Sequence, residues 1–162
     1  MSVRFDGQRL WIGDIECRRP RESAPGKTRP AHQERILRAK DMPDGGALSL
    51  AGTTIRQWSA EGKMVAEWQV RLEPYRRIRD IAMVAGVLAI LYHDISAPPN
   101  PRLAMYHLVE TTWVKTREVQ PGYLWSADTV EAVGNEFIVS GDEMNWAGST
   151  DFPNTSTIPA KA

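Results

Sequence analysis

The stretch Thr54-Ile55-Arg56-Gln57-Trp58-Ser59-Ala60-Glu61-Gly62-Lys63 alternates apolar and polar residues up to a tryptophan and then turns. A second alternating run follows it, from Met64 to Val70. The same outline returns about 49 residues later in Leu103-Ala104-Met105-Tyr106-His107-Leu108-Val109-Glu110-Thr111-Thr112, again followed by an alternating run, Trp113 to Val119. A period of two is the pattern of a half-buried β-strand. A repeat at about 20 to 50 residues marks a supersecondary unit used more than once.

Outward from these strand pairs, three hairpins stand out. Val3-Arg4-Phe5 turns through Asp6-Gly7 into Arg9-Leu10-Trp11-Ile12. Ile81 to Val84 turns through Ala85-Gly86 into Val87 to Leu91, and Thr129 to Val133 turns through Gly134-Asn135 into Phe137 to Val139. A glycine-containing two-residue turn between alternating runs is the strongest short-range hairpin signal. Gly86 and Gly134 lie about 48 residues apart, close to the period of the strand pairs.

In chain order this reads hairpin, strand, strand, repeated. The first unit has its hairpin at 3–13 and its outer strands near 53–58 and 64–70. The second runs through 80–93, 102–108 and 112–119. The third holds the hairpin ending at Asp142 and a strand near Met144–Trp146, with its fourth strand missing. Four antiparallel strands in about 40 to 50 residues is a propeller blade. The expected fold is therefore all-β: two to three propeller-like blades in a single domain over 1–147, followed by an extended tail over 148–162. Residues 18–46 read as a basic, proline-rich insertion with a short helix over 32–40.

The 162 residues suffice for one ordinary domain, and 42% apolar with 25% charged residues is a globular composition. No apolar run reaches the roughly 18 residues of a membrane span, and the N-terminal residues lack the order of a secretory signal. With Cys17 the single cysteine, a reducing compartment is expected, cytoplasmic or virion-associated. The formal net charge is zero but unevenly spread. Residues 18–40 carry Arg18, Arg19, Arg21, Lys27, Arg29, Arg35, Arg38 and Lys40 against Glu22 and Glu34. From Gly122 onward, Asp128, Glu131, Glu136, Asp142, Glu143 and Asp151 face Lys161 alone.

The segment Thr54 to Lys63 resembles the end of a WD40 repeat, with a strand closing on tryptophan before a Gly-Lys turn, and is similar to the blades of quinoprotein and related propellers. That resemblance implies a non-enzymatic scaffold for protein interaction. Ser59 follows Trp58, His107 and Leu108 stand in the second copy, and no Gly-His dipeptide opens a unit, so the WD40 side-chain hydrogen-bond network is expected to be absent. Three blades do not close a ring, so unpaired edges are expected to recruit protein: further copies of the chain or another subunit of an assembly, a virion component among them.

Candidate chemistry is sparse. His93 and His107, with Asp94 nearby, fall short of the three or four converging ligands that zinc needs, and His32 reads as solvated. Cys17 beside Arg18 and Arg19 invites a lowered thiol pKa, but with no histidine nearby in sequence it reads rather as a small residue closing a strand. No nucleophile elbow, paired catalytic carboxylates or phosphate loop is found, Asp44-Gly45-Gly46 being a turn, and no cofactor is expected. The eight basic residues, with Glu131, Glu136, Asp142 and Glu143 as their acidic counterpart, are the expected protein-binding groups. Nucleic acid is disfavoured because the basic segment has no aromatic for base stacking. Trp58, Trp113 and Trp125 near strand ends keep a glycan-binding alternative open.

Overall fold

A computed structural model describes residues 3–20, 28–84, 86–95, 100–110, 112–121, 127–141 and 155–160. Those residues are all-β, with no helix among them. The chain forms two compact units, Met1–Arg71 and Leu72–Ala162, where the sequence reads as one domain over 1–147.

In the first unit, β1 (Val3–Asp6), β2 (Arg9–Ile12), β3 (Ile15–Pro20) and β4 (Thr28–Pro30) form one antiparallel sheet in chain order. A second sheet holds β5 (Ile36–Asp41), β6 (Ala47–Ala51), β7 (Thr54–Trp58) and β8 (Met64–Gln69), also in chain order. In the second unit, β9 (Arg76–Val84), β10 (Val87–Asp94), β11 (Arg102–Val109) and β12 (Thr112–Val119) form a four-stranded sheet, and β13 (Thr129–Val133), β14 (Glu136–Ser140) and β15 (Thr155–Pro159) a three-stranded one.

All three expected hairpins are present, as β1–β2, β9–β10 and β13–β14. Their turn glycines, Gly7, Gly86 and Gly134, have φ of 59°, 79° and 59°, a conformation that β-carbon sterics deny most residues. The repeated strand pairs are β7–β8 and β11–β12, each the third and fourth strands of a sheet.

Where two to three blades are expected there are four sheets, because described parts of 18–46 are strands. Arg18–Pro20 continues β3, Thr28–Pro30 is β4, and the expected helix over 32–40 is replaced by β5. The hairpin at 3–13 therefore belongs to a sheet of its own. β15 pairs with β14 from within the expected tail, Phe137 opposite Ile158. The strand expected near 144–146 lies outside the described residues.

Both units bury one sheet face against the next. In the first, Leu10, Ile12 and Cys17 pack with Ala31, Ile36, Ala47 and Trp58. The main-chain N–H of Ile36 donates to the Gly7 carbonyl at 2.7 Å, tying β5 to the β1–β2 turn. In the second unit the rows Val84–Val87, Ala82–Ala89–Met105 and Leu91–Leu103 meet Val130, Phe137, Val139 and Ile158. The fully buried Asp80 carboxylate accepts from the main-chain N–H of Ile81 and of Val130, both at 2.9 Å, which fixes β13 to β9. A charge-assisted bond of this kind is worth about 1.5–3 kcal/mol.

Gly46 needs its missing side chain for a different reason from Gly7. A β-carbon at Gly46 would overlap the Trp58 carbonyl oxygen, whereas one at Gly7 meets nothing within 4 Å. Gly46→Ala is expected to cost about 2–3 kcal/mol by overpacking, and Gly7→Ala about 1–2 kcal/mol through its left-handed backbone alone. Urea unfolding midpoints of the two variants test this; equal losses would refute the assignment.

Candidate functional site

The features with chemical content cluster in the first unit, where the basic segment folds back on β7 and β8. Cross-strand pairing places Arg19 of β3 opposite Arg29 of β4. On the facing sheet, pairing sets Arg56 of β7 against Glu67 of β8, and Thr54 against Gln69. These six side chains line a hollow of about 340 Å³. Arg19 and Arg56 are buried, with 6% and 7% of their surface exposed, which is rare for arginine.

The arginines are held by oxygens, mostly uncharged ones. Arg19 Nε donates to the Pro30 carbonyl at 2.7 Å, and Arg29 Nη2 to the Pro20 carbonyl at 2.9 Å. Arg56 Nε donates to Glu67 Oε2 at 2.6 Å and its Nη1 to the Ala31 carbonyl at 2.8 Å. Arg19 and Arg29 have no carboxylate partner among the described residues. Burial pushes the Arg19 pKa down, and the neighbouring Arg56 and Arg29 charges add to that shift.

Beneath the hollow lies a hydrogen-bonded network. Trp58 Nε1 donates to Ser49 Oγ at 2.8 Å, and His32 Nε2 lies 2.6 Å from the same oxygen. Arg56 Nη1 approaches His32 Nδ1 at 3.3 Å. An arginine only donates, so Nδ1 must accept. The imidazole proton then sits on Nε2, and Ser49 Oγ accepts from both rings. The imidazole is neutral: burial, then the Arg56 and Arg19 charges, hold the His32 pKa down at about 3. His32 is thus buried rather than solvated, and it joins Ser49 and Trp58 in a side-chain network. Ser49 at the centre of Ala47-Leu48-Ser49-Leu50-Ala51 was the available signal, because a hydroxyl within a buried strand needs partners.

Other expected site residues are dispersed. Arg18 is exposed and shares Glu16 with Arg9, with Arg18 Nη2 at 2.6 Å and Arg9 Nε at 2.8 Å; this clamp holds the Glu16 pKa down at about 2, its bond from Arg9 leading. Arg35 is exposed, Arg38 Nη1 donates to the Leu37 carbonyl at 2.8 Å, and Lys40 is half-buried. Glu131 and Glu136 are exposed on β13 and β14. Arg21, Lys27, Asp142, Glu143 and Trp125 lie outside the described residues. Trp58 is enclosed, so it offers no face to a sugar, whereas Trp113 is half-buried on β12.

Cys17 is fully buried on β3, and its thiol pKa is pushed up to about 12, by burial first and the Glu16 charge second, so the reactive-thiol alternative raised by Arg18 and Arg19 does not hold. His93 pairs with Arg77 and His107 with Val87, at opposite ends of β10, so they do not share a ligand. A surface cluster that sequence reading missed surrounds Trp11, with the Arg4 and Arg9 guanidiniums 4.3 and 4.9 Å from its ring centre.

No known protein-family model matches the chain, and no curated protein matches it.

Because the folded state holds His32 neutral, unfolding takes up a proton below the ordinary histidine pKa of 6.5. Stability is fully present above that value and falls with pH toward 3, at up to about 1.4 kcal/mol per pH unit. His93, whose pKa burial also lowers, adds the same sign, so the difference from a variant is the readout. His32→Gln is expected to flatten the decline between pH 6.5 and 5, above the range where Glu16 titrates. Parallel wild-type and variant curves in chemical denaturation would refute it. Ser49→Ala, which strands two buried N–H groups, is expected to cost about 2 kcal/mol or more in the same measurement.

Proposed function

We propose that this chain is a non-enzymatic structural subunit that associates with further copies of itself. The observation that carries this reading is a set of exposed apolar side chains on outer strands, although Ile15, Leu108 and Val109 are exposed on inner ones. Phe5 projects from β1, Leu37 from β5, Met64 and Val65 from β8, Val114 from β12 and Val133 from β13. Each of these strands is first or last in its sheet. Val65 is 60% exposed and Val133 55%. An outer strand is also the place in a sheet where a further strand from another chain can add.

The uneven charge favours a second copy as the occupant. A basic stretch over 18–40 and an acidic stretch from 122 onward give one molecule both halves of a head-to-tail contact. Exposed Arg35 and Glu136 stand in these two stretches. Four sheets in chain-ordered antiparallel form support reading each as a propeller-like blade, in line with the resemblance at Thr54 to Lys63. Four is also the smallest number found in closed propellers, so a shortage of blades does not by itself demand a partner. The case for association rests on the exposed apolar side chains of the outer strands.

Light scattering coupled to gel filtration is expected to give a mass above the 18.2 kDa of one chain, rising with concentration and falling with added salt. Val65→Lys with Val114→Lys is expected to return the mass toward one chain while leaving the β circular-dichroism signal unchanged. A single-chain mass at every concentration would sink the proposal.

A further inference from the structure

The hollow between β3–β4 and β7–β8 holds more positive charge than its own residues balance. Arg19, Arg29 and Arg56 line it with Glu67 as the one acidic group among the described residues of the lining, and His32 beneath is neutral. Like charges directly opposite on neighbouring strands, as Arg19 and Arg29 are, destabilise a sheet. Burial worsens this, because desolvation strengthens repulsion and removes the water that would screen it. The Arg9 and Arg18 pair on the outer surface shows the alternative arrangement, with both guanidiniums closed on one carboxylate.

The donors of the three guanidiniums are also incompletely used. Arg19 is hydrogen-bonded through Nε alone, which leaves Nη1 and Nη2. Arg29 Nε is buried without a partner, and Arg56 Nη2 takes no part in the bonds to Glu67, Ala31 and His32. These statements hold among the described residues. Planar guanidinium forks are matched to oxyanions, and a tetrahedral anion accepts from several of them at once.

We infer that the Arg19–Arg29–Arg56 hollow is a binding site for a phosphoryl dianion. The charge sets the class: three arginines and one glutamate leave two positive charges, which a phosphate or phosphomonoester at about −1.5 to −2 offsets and a single carboxylate does not. The volume of about 340 Å³ admits the phosphoryl group with some of the molecule that bears it. Thr54 and Gln69 bond one another at 2.6 Å on the wall and set a neutral polar rim. Glu67, by contrast, opposes the anion through its own charge and limits affinity.

The test is calorimetric titration of the whole chain with inorganic phosphate and, separately, with O-phosphoserine, against sodium chloride at matched ionic strength. Saturable binding of either is expected, and the tighter of the two tells a free ion from a phosphate carried on a larger molecule. Arg29→Gln, which keeps the buried Arg19 and Arg56 in place, is expected to bind about tenfold more weakly or worse. Glu67→Gln is expected to bind more tightly. Circular dichroism and melting without ligand establish that both variants fold. No saturable heat beyond the salt control, or full affinity in Arg29→Gln, would overturn the site.

Discussion

The first unit depends on one hydroxyl. Ser49 Oγ, on a strand buried on both faces, takes hydrogen bonds from the Trp58 indole and the His32 imidazole. Trp58 ends β7 in the same sheet, whereas His32 belongs to the segment joining β4 to β5. His32 in turn donates its main-chain N–H to the Gln8 carbonyl at 3.2 Å, and the Gln8 side chain donates to the Gln33 carbonyl. A single acceptor therefore ties the core of one sheet to the turn of another. Two rings that would otherwise bury orphan donors are satisfied together, and the tryptophan can fill the space where Leu10, Ile12 and Ala47 meet.

That arrangement fixes what lies above it. With Nδ1 of His32 accepting from Arg56, the guanidinium is drawn inward and its Nε left to meet Glu67. The imidazole cannot take a proton without facing Arg56 and Arg19, so the layer beneath the hollow stays neutral. The positive character of the hollow is thus a product of packing and not of composition, since the chain as a whole has no net charge.

Sequence patterns disclosed the hairpins because a turn glycine between alternating runs has one reading, and Gly7, Gly86 and Gly134 each adopt it. They hid β6 because Ala47 to Ala51 is buried on both faces and shows no alternation. β5 was obscured by residues that favour helices, Glu34 to Lys40, where the Ile36 bond to Gly7 and the pairing with β6 decide for strand. β15 is a polar run ending in proline, and only its register with β14 makes it a strand. Of the site, the arginines were evident but their direction was not. Proline-flanked basic residues read as a solvated loop, and only the β3–β4 pairing turns Arg19 inward against Arg29.

The burial of Cys17 has a practical consequence. Its side chain packs with Leu10, Ile12 and Trp58, and Glu16 beside it further disfavours the thiolate. Alkylating reagents attack the thiolate and need access to it, so the native protein resists them. Since no other cysteine exists in the chain, the rate at which label is incorporated reports directly on how often the first unit opens.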